Sequence, residues 1–544
     1  MRCTYLLAGI ALLLLEAIMS DAAPAFRVGV ELPTNVPAKP GIEHALREMG
    51  VQYINAYVFN GESGPRTRSP ELTARMVSRL AENLGIEYQL ACHHKDVPVE
   101  AIRAVADDPR FRGVLNDELE HIRLLWRLNP PPGEWLIDMD VAETWEEAGE
   151  RALLGWRQLG QRYADKGVTQ LTSTHVWPVL LHTAARAGWI PCAKICKEFY
   201  SPVSLAVGMG AARQYGRECW ADVDMWFWDM VPGHSPEEVW SNLLLAYWAG
   251  VDLVYLEGCG FNLYPAGRQG YPFSLMSAIT DEAYQLTPHG VMLRRFIREY
   301  VPSHPRPWTH RDLLPDVAIV RFDDSDWGQG HPSFGEVLFG SERFKPDADT
   351  RAWLHAWNVL TLGATGTDGI SFFKSSIQYP LHEYKPTPHQ RDSYLTRPGY
   401  AATHPFFVPF NNVVVYDHLA SKADLAGVPC LIVTGKLLSD TTWSAIRKRV
   451  QDGAVCLLWA PLARKLGMDA PETGNPVRTD GKGRWMLVND FGDAAVKDML
   501  APWLPKPDVI RYRFRQGDVV LRQVPGDPNR VTVEIDGRPA GKPD

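Results

Sequence analysis

The chain has 544 residues and a formal charge of −8, with 45% hydrophobic and 22% charged residues. That length suits two to four domains with large buried cores, and the composition excludes wholesale disorder. Mild acidity without a basic block argues against nucleic acid as the main partner.

Arg2 precedes an apolar run from Leu6 to Leu15, and Ala22-Ala23-Pro24-Ala25 supplies small residues for cleavage. Residues 1–25 therefore read as a secretory signal, with a run too short to span a bilayer. No later stretch looks transmembrane. The expectation is an exported protein, periplasmic or extracellular. Seven cysteines follow Cys3, most of them in apolar, strand-like runs. They are expected to be small buried hydrophobes, not a disulfide framework or a metal site.

A strand-then-helix rhythm follows. Strands are expected at 26–32, 51–59, 87–93, 113–118, 169–176, 193–200, 219–226 and 252–257, each an apolar, β-branched or aromatic run. Between them, Pro70–Leu84 has Leu72, Met76, Leu80 and Leu84 at helical spacing. Thr144 with Glu147, and Ser235 with Glu238, form capping-box pairs at helix starts. Eight such units over residues 26–303 predict a (β/α)8 barrel, the TIM barrel. Trp135–Val141 is a competing ninth strand; if it joined the barrel, every later strand would shift by one.

His304-Pro305-Arg306-Pro307 marks a stiff boundary. Residues 304–505 read as a second α/β domain, an open sheet of flavodoxin type. Its strands are expected at 314–322, 429–434 and 454–459, with a helix at 439–451. Residues 374–411, rich in Pro, His and Tyr, read as a long loop insertion. Residues 506–544 read as a small β unit.

In a (β/α)8 barrel the active site lies at the C-terminal ends of the strands. Carboxylates recur there: Asn116-Asp117-Glu118 after strand 4, Glu198 after strand 6, Asp222 and Asp224 on strand 7, Glu257 ending strand 8. Carboxylates on apolar runs are costly unless paired, so their convergence on one mouth points to chemistry. Glycoside hydrolysis needs one protonated and one ionised carboxyl, and two acids in one pocket drive their pKa values apart. The preferred pair is Glu118 as general acid/base and Glu257 as nucleophile or base, with Glu198 close behind. Glu118 is preferred over Asp117 because alternation from Val114 sets Asn116 and Glu118 on one face. Lys194, Cys196 and Glu198 share another, where the lysine favours an ionised Glu198.

Sugar-binding company is expected from Asn55, Tyr57, His93, Asn116, His175, Trp177, Asp222, Asp224, Trp226 and Trp228. Trp faces stack on sugar rings, and Asn, His and Asp bond hydroxyls. The chain holds 19 Trp, as many as Phe or Tyr. Most fall in helices or connections and are expected to pack. No metal ligand set and no cofactor is expected, because adjacent His93 and His94 point to opposite faces.

Residues 26–300, with Asn116-Asp117-Glu118 and Tyr255-Leu256-Glu257-Gly258, resemble a (β/α)8 glycoside hydrolase. Val317–Arg321, Cys430–Gly435 and Val455–Pro461 resemble the flavodoxin-like or amidotransferase-like middle domain of the family 42 β-galactosidases. That family places an Asn-Glu pair after strand 4 and a Glu after strand 7. Here Asp117 intervenes, and strand 7 carries Asp222 and Asp224. The resemblance implies a glycosidase with a carbohydrate substrate, and a homo-oligomer. The alternatives are a non-catalytic glycan-binding barrel, a metal-dependent hydrolase using His93 with Asp222 or Asp224, and a polysaccharide lyase.

Overall fold

The computed structural model describes residues 26–32, 41–59, 69–93, 96–118, 141–175, 177–195, 199–225, 235–257, 275–278, 284–328, 337–365 and 407–540. Eight parallel strands close a barrel: β1 Arg27–Leu32, β2 Tyr53–Phe59, β3 Glu87–His93, β4 Phe111–Asp117, β5 Gln170–His175, β6 Ile190–Ile195, β7 Trp220–Asp224 and β8 Leu253–Glu257. Closure is made by β8 on β1, with Leu253 opposite Arg27 and Leu256 opposite Val30. β4 pairs directly with β5, Gly113 opposite Gln170. The barrel thus closes without a strand at Trp135–Val141, most of which lies outside the described residues. β6 begins three residues earlier than the sequence suggests, because Ile190-Pro191-Cys192 is taken into the sheet.

Alternation along each strand sorts residues to two faces. Tyr53, Tyr57, Ala91, Leu115, Ile190, Cys192, Trp220, Leu253 and Tyr255 form one buried cluster inside the barrel. The intervening residues meet the helices α1 Ile42–Met49, α2 Pro70–Leu84, α3 Val99–Val105, α4 Trp145–Ala164, α5 Leu181–Arg186, α6 Ser201–Gln214 and α7 Pro236–Ala249. Both expected capping boxes form, Thr144 with Glu147 and Ser235 with Glu238. The face of α2 differs from expectation. Thr73, Ala74, Val77, Leu80 and Ala81 are buried, whereas Leu72 is 48% exposed. Small residues meet the barrel here, and the larger Leu72 is left at the first turn.

Beyond the barrel come β9 Met276–Ala278 and β10 Tyr284–Leu286, then β11 Val317–Arg321, β12 Phe410–Asn411, β13 Val413–Asp417, β14 Cys430–Val433, β15 Val455–Trp459, β16 Val477–Asp480, β17 Gly483–Val488, β18 Val509–Phe514, β19 Gly517–Val524, β20 Asp527–Ile535 and β21 Arg538–Pro539. One sheet has the order β13-β11-β14-β15-β17-β16. Its five parallel strands run 2-1-3-4-5 along the chain, a common doubly wound order, and β16 is an antiparallel edge. The last sheet is β12-β18-β19-β20-β21. Part of the expected loop insertion is therefore sheet: Phe410 pairs with Ile510. Residues 374–406 lie outside the described residues.

The doubly wound sheet is bolted to the barrel's helices. α6 lies against β13 so closely that a β-carbon on Gly210 would stand 1.6 Å from the Val415 carbonyl oxygen. His182 Nε2 donates to that same carbonyl at 2.9 Å. Asp323 accepts from the Thr183 N–H at 3.0 Å and from its hydroxyl at 2.8 Å. Cys92, Cys192, Cys219, Cys430 and Cys456 are free and buried, as small apolar residues are.

Gly210 tests the contact between the two units. Gly210→Ala is expected to lower stability by at least ~2 kcal/mol, because backbone must move to admit the methyl group. Calorimetric Tm measures it. An unchanged Tm would show that α6 does not sit on β13.

Candidate active site

The alternation that builds the barrel also decides which strand-end groups point inward. On β4, Leu115 faces the interior, so Asp117 does too. Asn116 faces outward, where its Oδ1 accepts from the Tyr163 hydroxyl of α4 at 3.3 Å. The expected substrate-binding role of Asn116 is thus replaced by a bond to the helix layer. Glu118 lies one residue past the strand, with φ 52. A non-glycine residue in the left-handed region is uncommon and costs energy. The turn is held by the Glu118 N–H donating to the Thr174 carbonyl at 3.0 Å. It carries the Glu118 side chain into the mouth. The preference for Glu118 over Asp117 assumed unbroken alternation, and both residues reach the site.

They meet on Lys194. Cys192 faces inward on β6, so Lys194 does as well, 1% exposed. Its Nζ stands 2.6 Å from Glu257 Oε2, 3.1 Å from Glu118 Oε1, 3.3 Å from Asp117 Oδ1 and 3.9 Å from Asp222 Oδ2. Burial alone would push its pKa down. The charges of Asp117, Glu118, Glu257 and Asp222 outweigh that and hold it well above the ordinary lysine value. Lys194 is therefore an ammonium ion, not a free amine nucleophile.

The carboxylates have further partners. Tyr57 donates its hydroxyl to Asp117 Oδ2 at 2.6 Å. Tyr255 donates to Asp222 Oδ2 at 3.0 Å. Asp222 is fully buried, and its carboxyl is held well above the ordinary value, first by burial and then by the charge and hydrogen bond of Glu257. Burial likewise raises the Tyr57 phenol, with Asp117, Glu31 and Glu257 adding to it.

The structure thus brings together Glu118, Glu257, Asp222 and Tyr57 from the expected set, and adds Asp117 and Lys194. Asp224 is buried at the end of β7, opposite Glu257 in the ladder. Asn55 faces the interior one step deeper than Tyr57 and is fully buried. His175 faces away from the interior, and its Nδ1 accepts from the Trp177 N–H at 3.0 Å. Trp177 is not an open platform: it is 1% exposed and stacks on Trp327, ring centroids 3.9 Å apart and 4° from parallel. The residue after β11's turn fills the place a sugar ring was expected to take. His93 ends β3 opposite Asp117, but its side chain lies outside the described residues, as do Glu198, Trp226 and Trp228. Among the described residues no three His, Cys, Asp or Glu stand where they could share a metal ion. No described helix is long and apolar enough to cross a membrane.

No family model matches the chain, and no curated protein matches it. Solved structures are similar to it at low identity. An exo-β-1,4-mannosidase from Opitutaceae bacterium strain TAV5 is 12% identical over 88% of this chain and 96% of its own, with a TM-score of 0.44. GH5_18 from Streptomyces cattleya in complex with GlcNAc is 14% identical over 72% of this chain and 99% of its own, TM-score 0.36. An endo-1,4-β-D-mannanase from Thermotoga petrophila RKU-1 is 10% identical over 50% of this chain and 99% of its own, TM-score 0.32. At these scores the function must be argued from the site itself.

Lys194→Met leaves buried carboxylates without their cation and is expected to cost about 3–5 kcal/mol at pH 7. The sign with pH follows from the raised folded-state value. The lysine's contribution is complete below its unfolded value of 10.5 and is lost only as pH rises through the higher folded one. The stability gap between wild type and variant should therefore stay flat from pH 7 to about 10 in urea titrations. A gap that closes by pH 9 would mean that Lys194 titrates low and is an amine.

Proposed function

We propose that the chain is an exported glycoside hydrolase that cleaves a poly- or oligosaccharide with retention of configuration. The observation that carries this reading is the shared ammonium. Glu118 and Glu257 each lie within 3.1 Å of Lys194 Nζ, which leaves their nearest carboxyl oxygens within about 6 Å of each other. That upper limit leaves room for the close carboxyl pair, about 5–5.5 Å apart, of retaining enzymes.

The roles follow from exposure and charge. Glu257 is 5% exposed and lies closest to the ammonium, its Oε2 2.6 Å from Nζ. Its carboxylate attacks the anomeric carbon. Glu118 is the outermost of the four, its side chain 12% exposed at the rim, so it can exchange protons with solvent. Its carboxyl gives a proton to the departing glycosidic oxygen. In the second half, Glu118 takes a proton from water, that water attacks the anomeric carbon, and the bond to Glu257 breaks. One ammonium faces four carboxylates, and burial with the charge of Glu257 holds the Asp222 carboxyl well above its ordinary value.

Export rests on the signal-like residues 1–25. The division into barrel, doubly wound sheet and β tail supports a family 42-like arrangement, and with it an oligomer. Tyr57, Asp117 and Asp224 are assigned to the substrate's hydroxyls, as polar groups beside the carboxylate pair.

Release of reducing sugar from a panel of bacterial and plant polysaccharides tests the proposal. Glu118→Gln and Glu257→Gln should each lower kcat by about 10²–10⁴-fold while leaving folding and glycan affinity nearly intact. Near-normal turnover by Glu118→Gln would refute the acid assignment. Binding without turnover by the wild type would mark a glycan-binding barrel.

A further inference from the structure

A cavity of about 140 Å³ lies where the doubly wound sheet meets the barrel's helices. It shares no residue with the carboxylate cluster on Lys194. Its sheet side is made by Phe322 and Asp323 just past β11, His418 just past β13, and Leu437 and Leu438 beyond β14. The chain passes from β11 to β13 on one side and then to β14 on the other, so this crevice is the sheet's topological switch point. Ligands of open α/β sheets bind there, outside the carboxyl ends of the strands. The barrel helices α4 and α5 form the opposite side, through Glu150, Thr183 and Arg186. The walls are closely packed. A β-carbon on Gly149 of α4 would stand 2.9 Å from the Phe322 ring, and the His418 ring meets Phe322 edge-on at 4.8 Å.

Asp323 gives the cavity its chemistry. It is 6% exposed. Both bonds from Thr183 end on its Oδ2, and none from a described group ends on Oδ1. A carboxylate oxygen so enclosed is costly without a donor. No cation in the lining cancels its charge. Arg186 is paired with Glu150 at 2.8 Å. Burial holds the His418 imidazole below its ordinary value, so it is neutral. Asp417 accepts only from neutral donors, on Gln214, Tyr215 and Leu419. Glu146, Asp323 and Asp417 therefore leave the lining net negative, which favours a cation over an anion. Phe322, Leu437 and Leu438 add an apolar wall. A cavity of this size takes a molecule of roughly six heavy atoms, about that of benzene. We propose that it is a second ligand site, for a small alkylammonium ion that donates an N–H to Asp323 Oδ1 and lays its alkyl chain against Phe322, Leu437 and Leu438. Such a ligand touches the barrel helices and the doubly wound sheet at once, and it stabilises the joined protein by binding only the folded form. The site goes beyond the glycosidase reading and stands whether or not the barrel cleaves sugars.

Titration calorimetry on the full chain at pH 7 and fixed ionic strength tests the site with three probes of one chain length: butylammonium, 1-butanol and butyrate. Butylammonium should bind saturably, one per chain, roughly tenfold or more tighter than butanol, as one charge-assisted bond provides. Butyrate should not bind. Asp323→Asn keeps an oxygen for Thr183 but loses the charge. It should weaken butylammonium by about tenfold and leave butanol nearly unchanged. Leu438→Phe keeps every charge and fills the cavity, so it should weaken both; it serves alone if Asp323→Asn does not fold. Equal affinity for butylammonium and butanol would overturn the proposal, since the charge would then play no part. Tighter binding of butyrate would overturn it as an anion site. Undiminished butylammonium binding in Asp323→Asn or in Leu438→Phe would place the ion elsewhere, at the barrel-mouth carboxylates, and overturn it too. Absence of saturable binding would show a crevice that holds water alone.

Discussion

One buried ammonium among four carboxylates is the constraint on which the rest depends. Lys194 contacts side chains from β4, β7 and β8 and from the turn after β4. Apart from the adjacent Asp117 and Glu118, none of these is near another in sequence. Only a closed barrel brings them to one point, and only inward alternation delivers Lys194, Asp222 and Glu257 together. Removing a single member leaves the others buried and unbalanced, which is far costlier than never having built the cluster. The arrangement is therefore poor value for stability alone. It makes sense where a fold holds perturbed carboxyls for chemistry.

The same constraint explains the strained turn at Glu118. Asp117 already fills the last inward position of β4 and binds Tyr57. A second carboxyl from the same strand end can reach the interior only if the chain breaks alternation at once. The left-handed residue does this, and the bond from its N–H to Thr174 holds it there. The second unit works from outside. Trp327, from the turn after β11, covers Trp177 beyond β5, while β13 and Asp323 grip α5 and α6. The doubly wound sheet thus braces the barrel wall near its mouth and supplies none of the four carboxylates.

Much of this was legible in the sequence. Long apolar runs marked all eight barrel strands within a few residues, because strands buried on both faces carry an unmistakable composition. Capping boxes at Thr144 and Ser235 marked helix starts because their chemistry is local. The failures share a cause, which is that tertiary partners are not written locally. Asn116 and Asp117 differ in facing by one residue, and only Leu115's burial inside the barrel settles which is inward. The turn at Glu118 has no glycine to announce it. Lys194 was visible as a lysine in an apolar strand, the one signal that could have centred the site, but it was weighed as a neighbour of Glu198. β13 was missed beside a Pro-rich stretch. Among the described residues, Trp156, Trp177, Trp189, Trp220, Trp248, Trp327, Trp353 and Trp357 are packing residues, among the largest fully buried side chains.

The central claim is that Lys194 holds Glu118 and Glu257 close enough to act in turn on one anomeric carbon. The stereochemistry of the first-formed sugar reads that separation. Proton NMR during early hydrolysis of a cleaved glycan should show the anomer of the scissile bond appearing first, followed by slow mutarotation. The opposite anomer appearing first would contradict the pairing, since inversion needs carboxyls about 6.5–9.5 Å apart with a water between them.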